Sequence, residues 1–183
     1  MNRIFCKVPF VIEILGESDA HDPQGTAYFE QLKRFVADHG LESSVLFLGR
    51  QTAPEVRQHL THGDIFVAPF VELANGDKDG IPTALLEAMA AGCAIVATDA
   101  GSMTEVFVNG VEGLMVPQCD SKALADAIEL LVADDTLRNR LARTAVERVR
   151  QAFDVSHCEA IFHERVAAAI EARVAAAPLV SAP

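Results

Sequence analysis

Five short apolar runs recur along this chain, each separated from the next by a stretch with helical spacing, and that alternation restricts the fold more than any other feature. The runs are FVIEIL (10–15), SVLFLG (44–49), DIFVAPF (64–70), CAIVATD (93–99) and EGLMVP (112–117). Between them, TAYFEQLKRFVADHG (26–40), APEVRQHLTHG (53–63), IPTALLEAMAAG (81–92) and TEVFVNG (104–110) carry apolar residues at helical intervals and end on glycine. Strands that are mostly apolar on both faces must be covered on both faces, which predicts an α/β fold: a Rossmann-like, doubly wound parallel sheet with helices above and below. After Pro117 the pattern turns wholly helical, with Asp120, Asp134 and Asp154 or Ser156 placed as N-caps. No internal repeat or linker interrupts the chain, so residues 10–152 read as one domain. Residues 1–9 are its lead-in, 153–177 a C-terminal helix and 178–183 a tail expected to fray.

Charge and cysteine usage narrow the function. Twenty-six acids against fifteen bases give a net charge of −11, which repels nucleic acid in the absence of a basic patch. The arginines between Arg138 and Arg150 are interleaved with acids at helical spacing and read as a solvated helix face. Cys6, Cys93, Cys119 and Cys158 are far apart and lack zinc-ligand spacing, a pattern that fits a reducing cytoplasm. The apolar run 88–97 is too short for a bilayer span, so no integral membrane segment is expected; peripheral contact with the inner membrane face is compatible with the sequence. His39 and His62 stand at helix C-termini, where they serve the helix end rather than act as bases.

The stretch NGDKDGIPTALLEAMAAG (75–92) carries the chemistry. Asn75, Asp77 and Asp79 alternate ahead of Gly80, as in an EF-hand loop, but the twelfth position falls on Leu86 rather than a glutamate, Pro82 intrudes, and a strand precedes the loop where a helix should be. Calcium is therefore disfavoured, while a solvated acidic turn remains open. A helix start uses more of the residues. Gly80 lets backbone approach a ligand, Pro82 suits the first helical position, and the amides of Thr83 and Ala84 then point outward as an anion site suited to a diphosphate. Glu87, one turn further into an apolar helix, is expensive to bury without hydrogen bonds, and a polyol would supply them.

The segment DGIPTALLEAMAAGCAIVATDAGSMTEVFVNGVEGLMVP resembles the donor-binding half of family 4 (group 1) glycosyltransferases of the GT-B fold, whose signature is two acids separated by seven residues. Asp79 and Glu87 hold that spacing, and the resemblance extends over roughly residues 10–152. It implies that Glu87 hydrogen-bonds the ribose of a UDP- or GDP-linked sugar, and that the Thr83 and Ala84 amides meet its phosphates. Asp79, with the backbone of Gly80 and Ile81, would face the transferred sugar, and the main chain of Gly49, Arg50 and Gln51 would read the base. Glu105 and Gly113 hold recurrent positions with structural roles. The resemblance further implies retaining hexosyl transfer in polysaccharide biosynthesis with no cofactor and no metal. It also implies an N-terminal acceptor half, on the same enzyme or as a separate chain; apart from the resemblance, an unpaired strand near Phe10 would expose backbone and apolar surface and favour self-association. Two departures stand out: the first acid is aspartate where glutamate is usual, and the glycine-rich first strand with its phosphate-clamping cations would precede FVIEIL, where only MNRIFCKVP stands. A non-catalytic nucleotide-sugar-binding remnant is the alternative. A dinucleotide dehydrogenase is the poorer one, because no GxGxxG follows the first strand.

Overall fold

A computed structural model describes residues 9–18, 21–72 and 80–175. The elements follow in the order β1 (Ile12–Leu15), α1 (Pro23–Asp38), β2 (Val45–Gly49), α2 (Ala53–His62), β3 (Ile65–Ala68) and α3 (Thr83–Ala91). They continue with β4 (Ala94–Thr98), α4 (Met103–Val106), β5 (Gly113–Val116), α5 (Ser121–Ala133), α6 (Asp135–Ala152) and α7 (Val155–Ala175). All five expected strands form, and every pairing between them is parallel. The hydrogen bonds nevertheless join them as two groups, β1 with β2 and β3-β4-β5, where the sequence pattern predicts one continuous sheet.

β4 shows why the runs must be apolar on both faces. All five of its residues are buried. Ile95 and Ala97 face one cluster with Leu85, Ala88 and Met89 of α3 and with Phe107, while Ala94 and Val96 face another with Ala127, Leu131 and Leu141 of α5 and α6. The period-two alternation of a strand thus feeds two cores at once. β5 crosses tightly beside it, since a Cβ on Gly113 would lie 3.0 Å from the Ile95 carbonyl and from the Phe107 ring. That is a packing reason for glycine at the strand start, in line with the structural role expected there.

Helix starts follow local chemistry. Asp120 accepts from the Ala123 amide, Asp134 from Leu137 and Asp154 from Ser156, so α5, α6 and α7 begin where the caps predict. In α2 the Thr52 hydroxyl and amide both donate to Glu55, and these bonds hold its carboxyl below the ordinary range. α1 begins three residues before the expected Thr26, because Asp22 accepts from the Gln24 amide and Pro23 takes the first position. His39 Nδ1 donates to the Phe35 carbonyl and His62 Nδ1 to that of Gln58, which ties both rings to their helix ends. Arg138 bridges Asp135 at 2.8 Å and reaches Asp64 at 3.8 Å, so part of the arginine-rich face is paired. Among the described residues, no helix is long and apolar enough to cross a membrane.

Cys93 directly precedes β4, and its Sγ–H donates to the Leu60 carbonyl at 3.1 Å. Burial, with Asp64 adding to it, pushes this thiol from 9.0 up to about 11. The folded state therefore holds the proton more tightly: the contribution to stability is complete below pH 9 and is lost as pH rises through 11. At pH 8 iodoacetamide should label the exposed Cys119 and Cys158 while Cys93 stays unmodified until the chain unfolds, as read by peptide mass spectrometry.

Candidate functional site

The site grows from the carboxyl ends of the strands, where an open α/β sheet presents its loops. Chain leaving β3 at Ala68 returns as α3 through Pro82, whose backbone is extended at φ −67° and ψ 126°. Pro82 is thus the cap residue, one position before the first helical place expected for it. Its carbonyl accepts from Leu85 at 3.1 Å and Leu86 at 3.4 Å. The Thr83 and Ala84 amides have no hydrogen-bond partner among the described residues, and both residues are exposed. No side chain caps α3 and no acid stands in its first turn, whereas Asp22, Glu55, Asp120, Asp134 and Asp154 serve the starts of the other long helices. The result is a helix N-terminus with free donors and an uncompensated partial positive charge.

Leu85, Ala88 and Met89 turn inward to the sheet, which leaves Thr83, Ala84, Glu87 and Ala90 on the solvent side. Glu87 therefore lies one turn beyond Thr83 on the same face. It is exposed and has no hydrogen bond or ion pair with the described residues, so the expected burial penalty for this carboxylate does not arise. Gly80 and Ile81 are exposed just ahead of Pro82, and a Cβ at Gly80 would meet nothing within 4 Å. Asp79 lies outside the described residues, as do Asn75 and Asp77.

The second expected cluster sits at the end of β2. Gly49 adopts φ +67°, a left-handed turn that favours glycine, and its carbonyl accepts from Gly16 at 2.8 Å. Gln51 Nε2 donates to the Leu48 carbonyl at 2.7 Å, which commits that amide to its own turn. Arg50 is exposed and stands 3.7 Å from Glu17, a pair worth little in water. The Arg50 and Gln51 amides have no partner among the described residues. No hydrogen bond or ion pair among the described residues joins this turn to the start of α3.

The residues that fasten the loops after Phe70, Thr98 and Pro117 were not among the candidates read from the sequence. Gln118 accepts from the Glu72 amide at 2.9 Å and donates its own amide to Asp99 at 2.8 Å; Glu72 in turn accepts from Gly101 at 3.0 Å. Thr98 donates to the Phe70 carbonyl at 2.5 Å. These bonds stitch the three loops into one rim, and Phe70, Glu72, Gly80, Ala100 and Met103 border a hollow of about 20 Å³ in it. A polar side chain within a few places of each strand end, as at Glu72, Asp99 and Gln118, is the signal that would have found them.

Residues 7–148 match the family described as glycosyl transferases group 1. The amylovoran biosynthesis glycosyltransferase AmsK of Erwinia amylovora is 39% identical over 95 residues, covering 52% of this chain and 23% of AmsK. The putative colanic acid biosynthesis glycosyltransferase WcaL of Escherichia coli is 31% identical over 142 residues, covering 78% of this chain and 34% of WcaL. This chain therefore spans about a quarter to a third of the length of these curated relatives. Among solved structures, Anabaena HepE in complex with UDP superposes with a TM-score of 0.77 at 23% identity, over 90% of this chain and 43% of HepE. The C-terminal domain of the group 1 glycosyl transferase LpcC from Francisella tularensis superposes at 0.64 with 27% identity, over 73% of this chain and 66% of that one. With the fold and a family match over most of its length in agreement, this chain belongs to the glycosyl transferases of group 1.

Proposed function

We propose that this chain is the donor-binding domain of a retaining, metal-independent glycosyltransferase and takes a UDP- or GDP-linked hexose. The observation that carries this reading is α3, whose unpartnered Thr83 and Ala84 amides sit at the carboxyl end of the sheet with a free carboxylate, Glu87, one turn along the same face. A diphosphate placed there gains two charge-assisted hydrogen bonds and the favourable end of the helix dipole. As the bond from the sugar to the diphosphate breaks, negative charge grows on the leaving oxygens, and donors already aimed at it stabilise that charge without reorganising. Glu87 accepts from the ribose hydroxyls, and the Arg50 and Gln51 main chain reads the base. Asp79, beside the Gly80 and Ile81 backbone, faces the sugar. The acceptor and the remaining catalytic groups come from an N-terminal half, on the same or another polypeptide. HepE, whose structure contains UDP, supports a nucleotide as the ligand class.

Calorimetric titration of the chain with UDP, GDP and their hexose conjugates in EDTA tests this. Saturable but weak binding, above about micromolar, is expected, since the donors described at this helix start are neutral main-chain amides. No saturable binding to any of the four compounds would overturn it. Glu87→Ala should weaken that binding by roughly tenfold to a hundredfold, the worth of hydrogen bonds to a charged group, and leave the helical circular dichroism intact because the residue is exposed and alanine favours helix.

A further inference from the structure

The three bonds that fasten the strand-end rim form a closed ring. The Glu72 amide, behind β3, donates to the Gln118 side-chain oxygen at 2.9 Å, and the Gln118 amide, behind β5, donates to the Asp99 side chain at 2.8 Å. The Gly101 amide, two residues beyond Asp99 behind β4, donates to the Glu72 side chain at 3.0 Å. Each loop thus gives one main-chain N–H and receives another through a side chain, so each is held to both of the others. Two of the acceptors are carboxylates, which makes those bonds charge-assisted. The third is the neutral amide of Gln118, and the chain on either side of it is fixed. The Asp99 amide bonds the Val116 carbonyl at 2.9 Å, and Cys119 takes a left-handed φ of +61°. A residue other than glycine holds such a φ only where its surroundings determine it.

The ring adds little to the core. Glu72 and Asp99 are exposed, and the strand ends beneath them are already joined by the β3-β4-β5 ladder and by Thr98, which donates to the Phe70 carbonyl. What the ring sets is the border of the hollow of about 20 Å³, room for one water-sized group. Glu72, Gly101 and Gly80 border it together, so the backbone just ahead of α3 lies beside the Glu72–Gly101 bond. Thr83 and Ala84 are supported differently, because they belong to α3, which Leu85, Ala88 and Met89 anchor in the core. The two parts of the site have separate supports.

We propose that Gln118 is a positioning residue for the sugar of the donor: through Glu72 it fixes where the Gly80–Ile81 backbone stands, while the diphosphate donors at Thr83 and Ala84 are set by α3. The inference rests on the donor-binding reading above for what Gly80 and Ile81 face, and on the ring and the hollow for how they are held. Gln118 itself does not border the hollow, so it acts by geometry alone. A displacement of about 1 Å is enough to cost a positioned contact on the order of a hundredfold.

Gln118→Met tests this on the full chain, since methionine keeps the length of the side chain and removes the oxygen that Glu72 bonds. Glu72→Gln is the conservative control, which keeps an acceptor for Gly101 and removes only the charge. Amide resonances of the isotope-labelled chain report the backbone, and calorimetric titration compares UDP with UDP-glucose and GDP with GDP-mannose. In Gln118→Met the Gly80 and Ile81 resonances should move while those of Thr83 and Ala84 stay. Affinity for the bare nucleotide should hold within about twofold, and the gain that the hexose adds should fall by about tenfold, the worth of one hydrogen bond. Glu72→Gln should match the parent chain in both readouts. Equal loss for nucleotide and conjugate, no loss for either, or a parent chain that gains nothing from the hexose would overturn the positioning role. If the parent chain binds none of the four compounds, the donor-binding reading falls by itself; unmoved Gly80 and Ile81 resonances would then overturn the placement by Gln118 as well, and moved ones would uphold it.

Discussion

Replacing Thr83 with proline should weaken nucleotide binding by roughly tenfold to a hundredfold and leave the fold intact, which corresponds to about 1.5 to 3 kcal/mol for one hydrogen bond to a charged phosphate. The substitution is chosen for its economy. Thr83 occupies the first helical position, where proline is well accepted because its missing N–H would have no intrahelical partner. The residue ahead of a new proline must be extended, and Pro82 already is, with ψ 126°. The variant thus deletes a donor aimed outward while the helix, its packing face and Glu87 stay where they are. Thr83→Ala separates the two parts of the residue: it removes the hydroxyl and keeps the amide, and its affinity should lie much closer to that of the parent chain. Titration with UDP or GDP alongside far-ultraviolet circular dichroism measures both. Unchanged affinity in a folded Thr83→Pro chain would remove the amide from the phosphate site.

The largest expected effect on stability comes from Leu141→Ala. Leu141 is fully buried in the cluster that joins α6 to Ala94 and Val96 of β4 and to Leu131 of α5. Truncation loses the transfer free energy of the removed carbons and leaves a cavity that the sheet and two helices cannot close, so a loss of about 3 kcal/mol is expected. For a chain of this size that lowers the melting temperature by about 6 to 12 °C in a calorimetric scan. The same helix face explains why the change should be felt at the sheet yet leave the site itself intact. α6 contacts the core through Leu141 and Ala145, while its arginines lie toward solvent or reach carbonyls, as Arg148 does to Val106. A shift below about 1 kcal/mol would mean that α6 is not a structural member of the sandwich.

What the amino-acid order settled by itself is local. The five strands, the helices between them and the caps at Asp120, Asp134 and Asp154 follow from residues within a few places of one another, because strand periodicity, helix periodicity and N-capping are short-range physics. The one displaced start, at α1, was also written locally: Asp22 as cap and Pro23 at the first position form a signal hidden in what reads as a turn. The family resemblance likewise rests on a contiguous motif, and the match over residues 7–148 agrees with it.

Tertiary structure decided which face each element shows and which edges meet. Glu87 looks enclosed in an apolar helix when read along the chain, yet Leu85, Ala88 and Met89 take the sheet and leave the carboxylate in solvent, a choice made by β4 and not by the helix. The rim joining Glu72, Asp99, Gly101 and Gln118 brings together residues up to 46 positions apart. No window of sequence contains such a contact. The division of the strands into two groups has the same origin, since strand neighbours are fixed by hydrogen bonds across the sheet, and each strand's own pattern is equally content with a partner on one side or on two.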